Sequence, residues 1–256
     1  MSDLGTFFDG YARDWNAFYD GDRARAFDYR NRQRLLLELV DRLAPAPTDV
    51  LELGCGAGHT AVRLSERGHR LSCVDVSPQM IAATERNFAR AGAEATLHVG
   101  TVGDLPAERG SFDLVVAAGM MEYVEDRDAT LAAIHGRLRP GGAAILSFTN
   151  AGSPMHWVET PIKRVLALGA YALTRRRQYR DIAVPASRAD HLSSVRRLFE
   201  RAGLHLEAAH FFTYGMRIGA AWWPPLWMVR RADGVLASSR MRSLGRGFFA
   251  VGRRPR

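Results

Sequence analysis

Along this chain the spacing of apolar positions switches between a two-residue repeat and a three-to-four-residue repeat, and the switches mark out the predicted elements. The sharpest lies at Val50-Leu51-Glu52-Leu53-Gly54-Cys55-Gly56-Ala57-Gly58. There a strand pattern runs into three alternating glycines and then into helical spacing at Ala61, Val62 and Leu64. Arg70 to Asp75 reads as the next strand. Ser77-Pro78 caps a helix that runs through Met80, Ile81, Thr84 and Phe88 to Gly92. Leu97 to Val99 is a short strand, and Ser111 to Ala118 is apolar enough for a parallel strand buried on both faces. The helix that follows stops at Arg139-Pro140-Gly141-Gly142, and Ala143 to Phe148 is a fifth strand. Ser187 to Ala202 carries Leu192, Val195, Leu198, Phe199 and Ala202 on one side of a helix that Gly203 ends. Leu204 to Phe212 and Gly247 to Gly252 are the closing strands.

Ahead of the glycine turn the pattern predicts two helices. The first places Phe7, Phe8, Tyr11, Trp15, Phe18 and Tyr19 at helical spacing; the second runs from Asp28 through Leu35, Leu36, Leu39, Val40 and Leu43. With 256 residues, 47% of them apolar, strands and helices alternating in this order predict one α/β domain: a helical segment at 1–45, a core at 46–150 and a closing part at 151–256.

Side chains at Gly54 or Gly56 would occupy space that a ligand must enter, and a turn of positive φ costs glycine least. The turn opens a helix whose first amides face that space, which makes it a nucleotide-type cradle. A dinucleotide fingerprint would put glycine where His59 stands, so a pyrophosphate is disfavoured. Asp75 ends the next strand 21 residues after Gly54, where a doubly wound sheet places an acid beside ribose hydroxyls.

"VLELGCGAG", "CVDVSPQMI", "FDLVV" and "LRPGGAAILSF" resemble, in order and spacing, the class I S-adenosylmethionine-dependent methyltransferases, a group that includes ubiquinone- and menaquinone-pathway enzymes. The resemblance spans roughly residues 48–150. It implies a Rossmann-like doubly wound sheet of seven strands, mostly parallel with an antiparallel edge hairpin, and S-adenosyl-L-methionine as cofactor. On this sequence the implied cofactor residues are Glu52, Gly54, Cys55, Gly56, Gly58, Asp75, Val76, Met80, Thr101, Val102, Ala118 and Gly119. The family commonly has an acid at the position of Thr101 to accept a bond from the adenine amino group. This chain departs there, leaving the Thr101 hydroxyl or Asp104 to do so. "YARDWNAFYD" resembles the family's segment across the active-site mouth, which makes Tyr11, Trp15 and Tyr19 a lid and substrate contact. Glu122 and Tyr123, at the exit of the fourth strand, are further substrate-side candidates; a helix cap or a solvated charge is the plainer role for Glu122.

The implied chemistry is in-line attack on a sulfonium methyl, for which the protein supplies orientation and a dry site. A hydroxyl nucleophile needs a general base, and His156 and His191 are the candidates, with His210 behind them. No two histidines have metal-ligand spacing on one helix face, so no metal is expected. The chain also lacks the Asn-Pro-Pro-aromatic tetrapeptide with which base-modifying methyltransferases hold an amine.

Charge changes the picture at the C-terminal side. Residues 1–150 hold 16 Arg against 21 acids, a net of −5, whereas residues 151–256 hold 18 Arg and Lys163 against 6 acids, a net of +13. An apolar run from Val165 to Leu173, too short to span a bilayer, sits between Lys163-Arg164 and Arg175-Arg176-Arg177. Such a segment suits peripheral contact with an anionic membrane, or a lid. Trp222, Trp223 and Trp227 around Pro224-Pro225 suit a substrate wall or an interfacial anchor. Cys55 and Cys73 have no ligand company, and Met1 to Gly10 lacks a leader pattern, so a reduced, cytoplasmic setting is expected. The expected activity is methyl transfer to a small-molecule or lipid-like acceptor, foremost at oxygen. The alternatives are a nucleic-acid methyltransferase, disfavoured because nucleic acid has no recognisable docking module, and a non-catalytic cofactor-binding scaffold. The oligomeric state is left open.

Overall fold

The computed structural model describes residues 3–10, 12, 15, 24–106, 111–158, 161–162, 165, 188–218, 221–237 and 239–256. Strands β1 (Asp49–Leu53), β2 (Arg70–Asp75), β3 (Thr96–Val99), β4 (Phe112–Ala117) and β5 (Leu138–Asn150) run parallel. After them come β6 (Ala189–Asp190), β7 (His205–Phe212), the separate antiparallel pair β8 (Met216–Ile218) and β9 (Ala221–Trp223), and β10 (Gly247–Arg253). The main sheet has the order β3-β2-β1-β4-β5-β10-β7, with β10 antiparallel to both neighbours. The two residues of β6 add an eighth strand beside Thr149 and Asn150; so short a strand carries no readable period. Strand order reverses between β1 and β4, and a crevice for ligands belongs at the carboxyl ends of these strands.

The helices that accompany the strands include α1 (Asp3–Asp9), α2 (Ala24–Leu43), α3 (His59–Ser65), α4 (Pro78–Ala91), α5 (Arg127–Arg137), α6 (Leu192–Arg201) and α7 (Leu226–Leu236), and residues 154–158 are helical too. Strand residues alternate between two cores, as the two-residue repeat requires. Val50, Leu114, Val116 and Ile145 pack with Leu36 and Val40 of α2 and Leu64 of α3. Leu51, Leu53, Val115 and Leu146 pack on the other face with Leu131 and Ile134 of α5 and Val195 and Phe199 of α6. Each fully buried leucine contributes about 2 kcal/mol. No described helix is long and apolar enough to cross a membrane.

The local signals around α4 act as they read. Ser77 accepts a bond from Met80 N at 3.0 Å, Pro78 occupies the first turn, and Gly92 closes the helix at φ 64°. The first helix departs from expectation. It ends at Asp9 instead of running toward Tyr19, and Trp15 lies in a turn. The cause is tertiary: Asp9 Oδ1 accepts bonds from Ser77 Oγ (2.5 Å) and Gln79 N (3.3 Å), so the carboxylate at the helix end is held on the start of α4. The start of β5 is the second difference. Residues 139–142, read as a stop, belong to the strand because Gly141 N bonds Arg254 O and Arg254 N bonds Gly142 O.

A buried polar clamp sets the position of α2. Asn31 Nδ2 donates to Asp233 Oδ2 of α7 and, at 3.4 Å, to Thr213 Oγ1, while Asp233 Oδ1 accepts from Tyr214 N at 2.9 Å. Burial pushes the Asp233 carboxyl up to about 6.

Candidate functional site

The glycine turn after β1 folds back on β2, with Gly54 N and Cys55 N both donating to Val74 O at 2.8 and 3.1 Å. Gly54, Gly56 and Gly58 have φ of 63°, 55° and 74°. They serve different neighbours. A Cβ on Gly54 would lie 2.9 Å from Met120 Cβ, and one on Gly56 would lie 2.9 Å from Trp15 Nε1, both residues of a cavity wall. A Cβ on Gly58 would lie 2.6 Å from Thr84 Cγ2, under α4 and away from that cavity.

The cavity holds about 1270 Å³ at the carboxyl ends of β1, β2 and β4. Of the sequence-derived cofactor set, Glu52, Gly54, Cys55, Gly56, Asp75, Val76 and Met80 line it, as do Thr101, Val102, Ala118 and Gly119. Gly58 does not. Trp15, Glu122, Tyr123 and His156 line the cavity as well. His191 falls elsewhere, at the N-terminal end of α6, where its carbonyl accepts from Ser194 N and Val195 N. Tyr11 and Tyr19 lie outside the described residues, as do Lys163, Arg164 and Arg175 to Arg177. Trp227 is exposed on α7 and lines no part of the cavity, while nothing is described of the Trp222 and Trp223 side chains.

Asp75 is a preformed acceptor. Its Oδ2 takes a bond from Gly56 N (2.8 Å) and its Oδ1 one from Ser77 N (2.9 Å), which aims the carboxylate while leaving lone pairs toward the cavity. Burial raises its pKa against the pull of these backbone amides. Glu52, at the cavity floor, is buried, and burial together with the Asp75 charge pushes its carboxyl up to about 8. Its Oε2 has no hydrogen-bond partner among the described residues. A buried carboxyl oxygen left bare beside a glycine cradle fits a cationic, ribose-bearing ligand, which would bring donors to both acids. Thr101 N and Oγ1 both donate to Asp104 Oδ2, at 2.8 and 2.7 Å. Asp104 thus orders the Thr101 turn from behind, and Thr101 is the one of the two that lines the cavity.

The protonated Glu52 carries a pH signature. Its pKa is about 4.5 in the unfolded chain and about 8 in the fold, so the folded state binds the extra proton between these values. Stability from this group is complete below pH 4.5 and is lost as pH rises through about 8. Denaturant unfolding of the ligand-free protein at pH 6 and pH 8 should show that loss, with a slope approaching about 1.4 kcal/mol per pH unit. Glu52→Gln should flatten it; an unchanged slope would assign the proton to another group.

Two parts of the site escaped sequence reasoning. Arg32 of α2 lines the cavity, with its guanidinium packed on Gly119: a Cβ there would sit 2.5 Å from Nη1. The available signal was a cation on the stripe Asp28, Arg32, Leu36, Val40, a position that helical spacing assigns to the interior. The second part is the pair Phe8 and Tyr29, which join Trp15 and Tyr123, both expected as substrate contacts, in an edge-to-face aromatic chain along the cavity wall. It runs from Tyr123 to Phe8 (5.5 Å), Phe8 to Trp15 (6.2 Å) and Trp15 to Tyr29 (5.9 Å). Among the described residues no three of His, Cys, Asp and Glu gather as a metal-binding group.

Residues 50–142 match the family described as a methyltransferase domain. A ubiquinone biosynthesis O-methyltransferase of Xanthomonas axonopodis pv. citri (strain 306) is 33% identical over 179 residues, 67% of this chain and 69% of that protein. Among solved structures, the magnesium protoporphyrin IX methyltransferase of Synechocystis PCC 6803 with bound SAH has a TM-score of 0.65 at 14% identity, covering 98% of this chain and 97% of that one. The 1,6-didemethyltoxoflavin-N1-methyltransferase of Burkholderia thailandensis has a TM-score of 0.60 at 17% identity, over 99% and 88% of the two chains. The structures carry the likeness in fold, the sequence match carries the lineage, and together with the cradle they place this chain in the S-adenosylmethionine-dependent methyltransferase family.

Proposed function

We propose that this enzyme methylates a hydroxyl of a small ring-bearing or lipid-like acceptor. The observation that carries the reading is the cavity itself. It runs from the Gly54–Asp75 edge to the aromatic wall, and at about 1270 Å³ it exceeds the usual range for one small ligand, on the order of 300–1,000 Å³. Cofactor and acceptor then share one enclosure. Relatives named for O-methylation in ubiquinone biosynthesis support oxygen as the acceptor atom.

In this reading Asp75 accepts from the ribose hydroxyls, and the turn at Gly54 and Gly56 lets the cofactor approach the backbone. Thr101 and Val102 flank the base, and Glu52 faces the cationic amino-acid end. The cofactor supplies a methyl on a positively charged sulfur that departs neutral. The chain's own work is to hold the acceptor oxygen in line and to keep water out, for which Phe8, Trp15, Tyr29 and Tyr123 form the apolar side.

Peripheral membrane contact is a second part of the proposal. Trp157 is 68% and Val165 69% exposed, beside the basic run that begins at Lys163. Trp157 Nε1 donates to Ala151 O at 2.8 Å, which fixes the indole while its ring stays in solvent. The test incubates the protein with lipid and metabolite extracts and cofactor carrying an isotopic methyl, and reads the products by mass spectrometry. A labelled methyl ether is the expected product, and label confined to nitrogen, sulfur or carboxylate would sink the hydroxyl reading. Sedimentation with anionic vesicles at low salt should pull the protein down, and failure to do so removes the membrane part alone.

A further inference from the structure

Glu122 lines the cavity, in a single 3-10 turn (Met121–Tyr123) after β4. Next to it Tyr123 joins the aromatic wall, and three residues before it Gly119 carries the Arg32 guanidinium. Its Oε2 is buried and has no hydrogen-bond partner among the described residues. Among the described residues one other buried carboxyl oxygen shares that condition, on Glu52, whose carboxyl feels the Asp75 charge. A carboxylate held with one bare oxygen beside a substrate cavity lacks a donor, and an acceptor hydroxyl is a donor of the right kind.

We infer that Glu122 takes the proton of the acceptor hydroxyl during methyl transfer. The inference rests on the hydroxyl reading above. As the acceptor oxygen bonds to the methyl carbon, its O–H bond breaks and the proton passes to Glu122, turning carboxylate into carboxylic acid. The electron pair of the broken carbon–sulfur bond stays on sulfur and cancels its positive charge, so no oxidant or reductant is consumed. The charged groups around Glu122 suit this role. Burial pushes its pKa up, Arg32 from α2 and Arg127 from α5 draw it down, and Asp190 of β6 pushes it up again. The net direction is upward, which makes the carboxylate a better base than a solvated one.

The experiment compares wild type, Glu122→Gln, Glu122→Asp and His156→Ala on a panel of phenols whose own pKa falls from about 10 to about 7. With the least acidic phenol Glu122→Gln should lose about 100-fold or more in kcat. With phenols already ionised at the assay pH the deficit should shrink below about tenfold, because no proton is left to move. The acid limb of the wild-type pH profile should vanish in Glu122→Gln. Calorimetric affinity for S-adenosylmethionine should stay within about twofold. If the Gln variant fails to bind cofactor, Glu122→Asp carries the test: its limb remains while kcat falls. A deficit equal across all phenols, or a limb that survives in Glu122→Gln and disappears in His156→Ala, overturns the inference. Hydroxyl transfer with Glu122→Gln unimpaired overturns it alone. Transfer by the wild type only to acceptors other than hydroxyls removes the proposed function as well.

Discussion

Asp75→Ala is expected to weaken S-adenosylmethionine binding at least about 100-fold, the equivalent of about 3 kcal/mol. Two hydroxyl donors meeting one ionised acceptor make two charge-assisted bonds, each worth about 1.5–3 kcal/mol. The substitution also releases Gly56 N and Ser77 N, which the two carboxylate oxygens hold at 2.8 and 2.9 Å. The cradle therefore loses its shape along with its charge. Asp75→Asn separates the two losses. It keeps the size and one acceptor oxygen, but turns an amide nitrogen toward one of the two backbone donors, and a loss of about tenfold is expected. Isothermal calorimetry reads both variants. Affinity of the Ala variant within threefold of wild type would mean that the ribose does not meet this carboxylate.

The second large effect is structural. Gly58→Ala should destabilise the protein by about 3 kcal/mol and lower its melting temperature by roughly 10 °C. A non-glycine residue at φ 74° costs about 1–2 kcal/mol by itself. The added Cβ meets Thr84 Cγ2 at 2.6 Å and Oγ1 at 3.1 Å. Thr84 is fully buried and its Oγ1 donates to Gly56 O at 2.7 Å, so it cannot turn aside without breaking a bond that shapes the cradle. Gly136→Ala is the matched control. That glycine lies in α5 with nothing within 4 Å of an added Cβ, and alanine there should stabilise by about 0.5–1 kcal/mol. Equal melting temperatures for the two variants would contradict the packing of α4 on the turn.

Gly58 also shows where a motif and a site part company. Three glycines at alternate positions look alike in sequence, yet the structure turns two toward a cavity and one beneath a helix. The spacing reports a sharp backbone turn, and only the neighbours say what each missing side chain makes room for. The same holds for the two histidines. His156 and His191 are equivalent on the page of residues; one lines the cavity and the other ends up beside α6. The N-terminal aromatics differ again: their spacing announced an apolar surface to cover, but the helix they suggested ends at Asp9, whose carboxylate is held by Ser77 and Gln79.

By itself the sequence determined the α/β sheet, the glycine turn facing Asp75, and the caps of α4, because these depend on periodicity, on the order of a strand–turn–helix–strand unit and, for the caps, on hydrogen bonds between residues a few places apart. The tertiary structure alone decided that Trp15 stands over Gly56, that Arg32 rests on Gly119, and that Asn31 reaches Asp233 across 202 residues. Such contacts arise when separate elements pack on a common sheet. No local pattern encodes which side chains will then face one another: the sequence offered Trp15, Glu122 and Tyr123 as substrate-side candidates, but only the folded chain brings them to one cavity with Arg32 and leaves Glu122 Oε2 without a hydrogen-bond partner among the described residues.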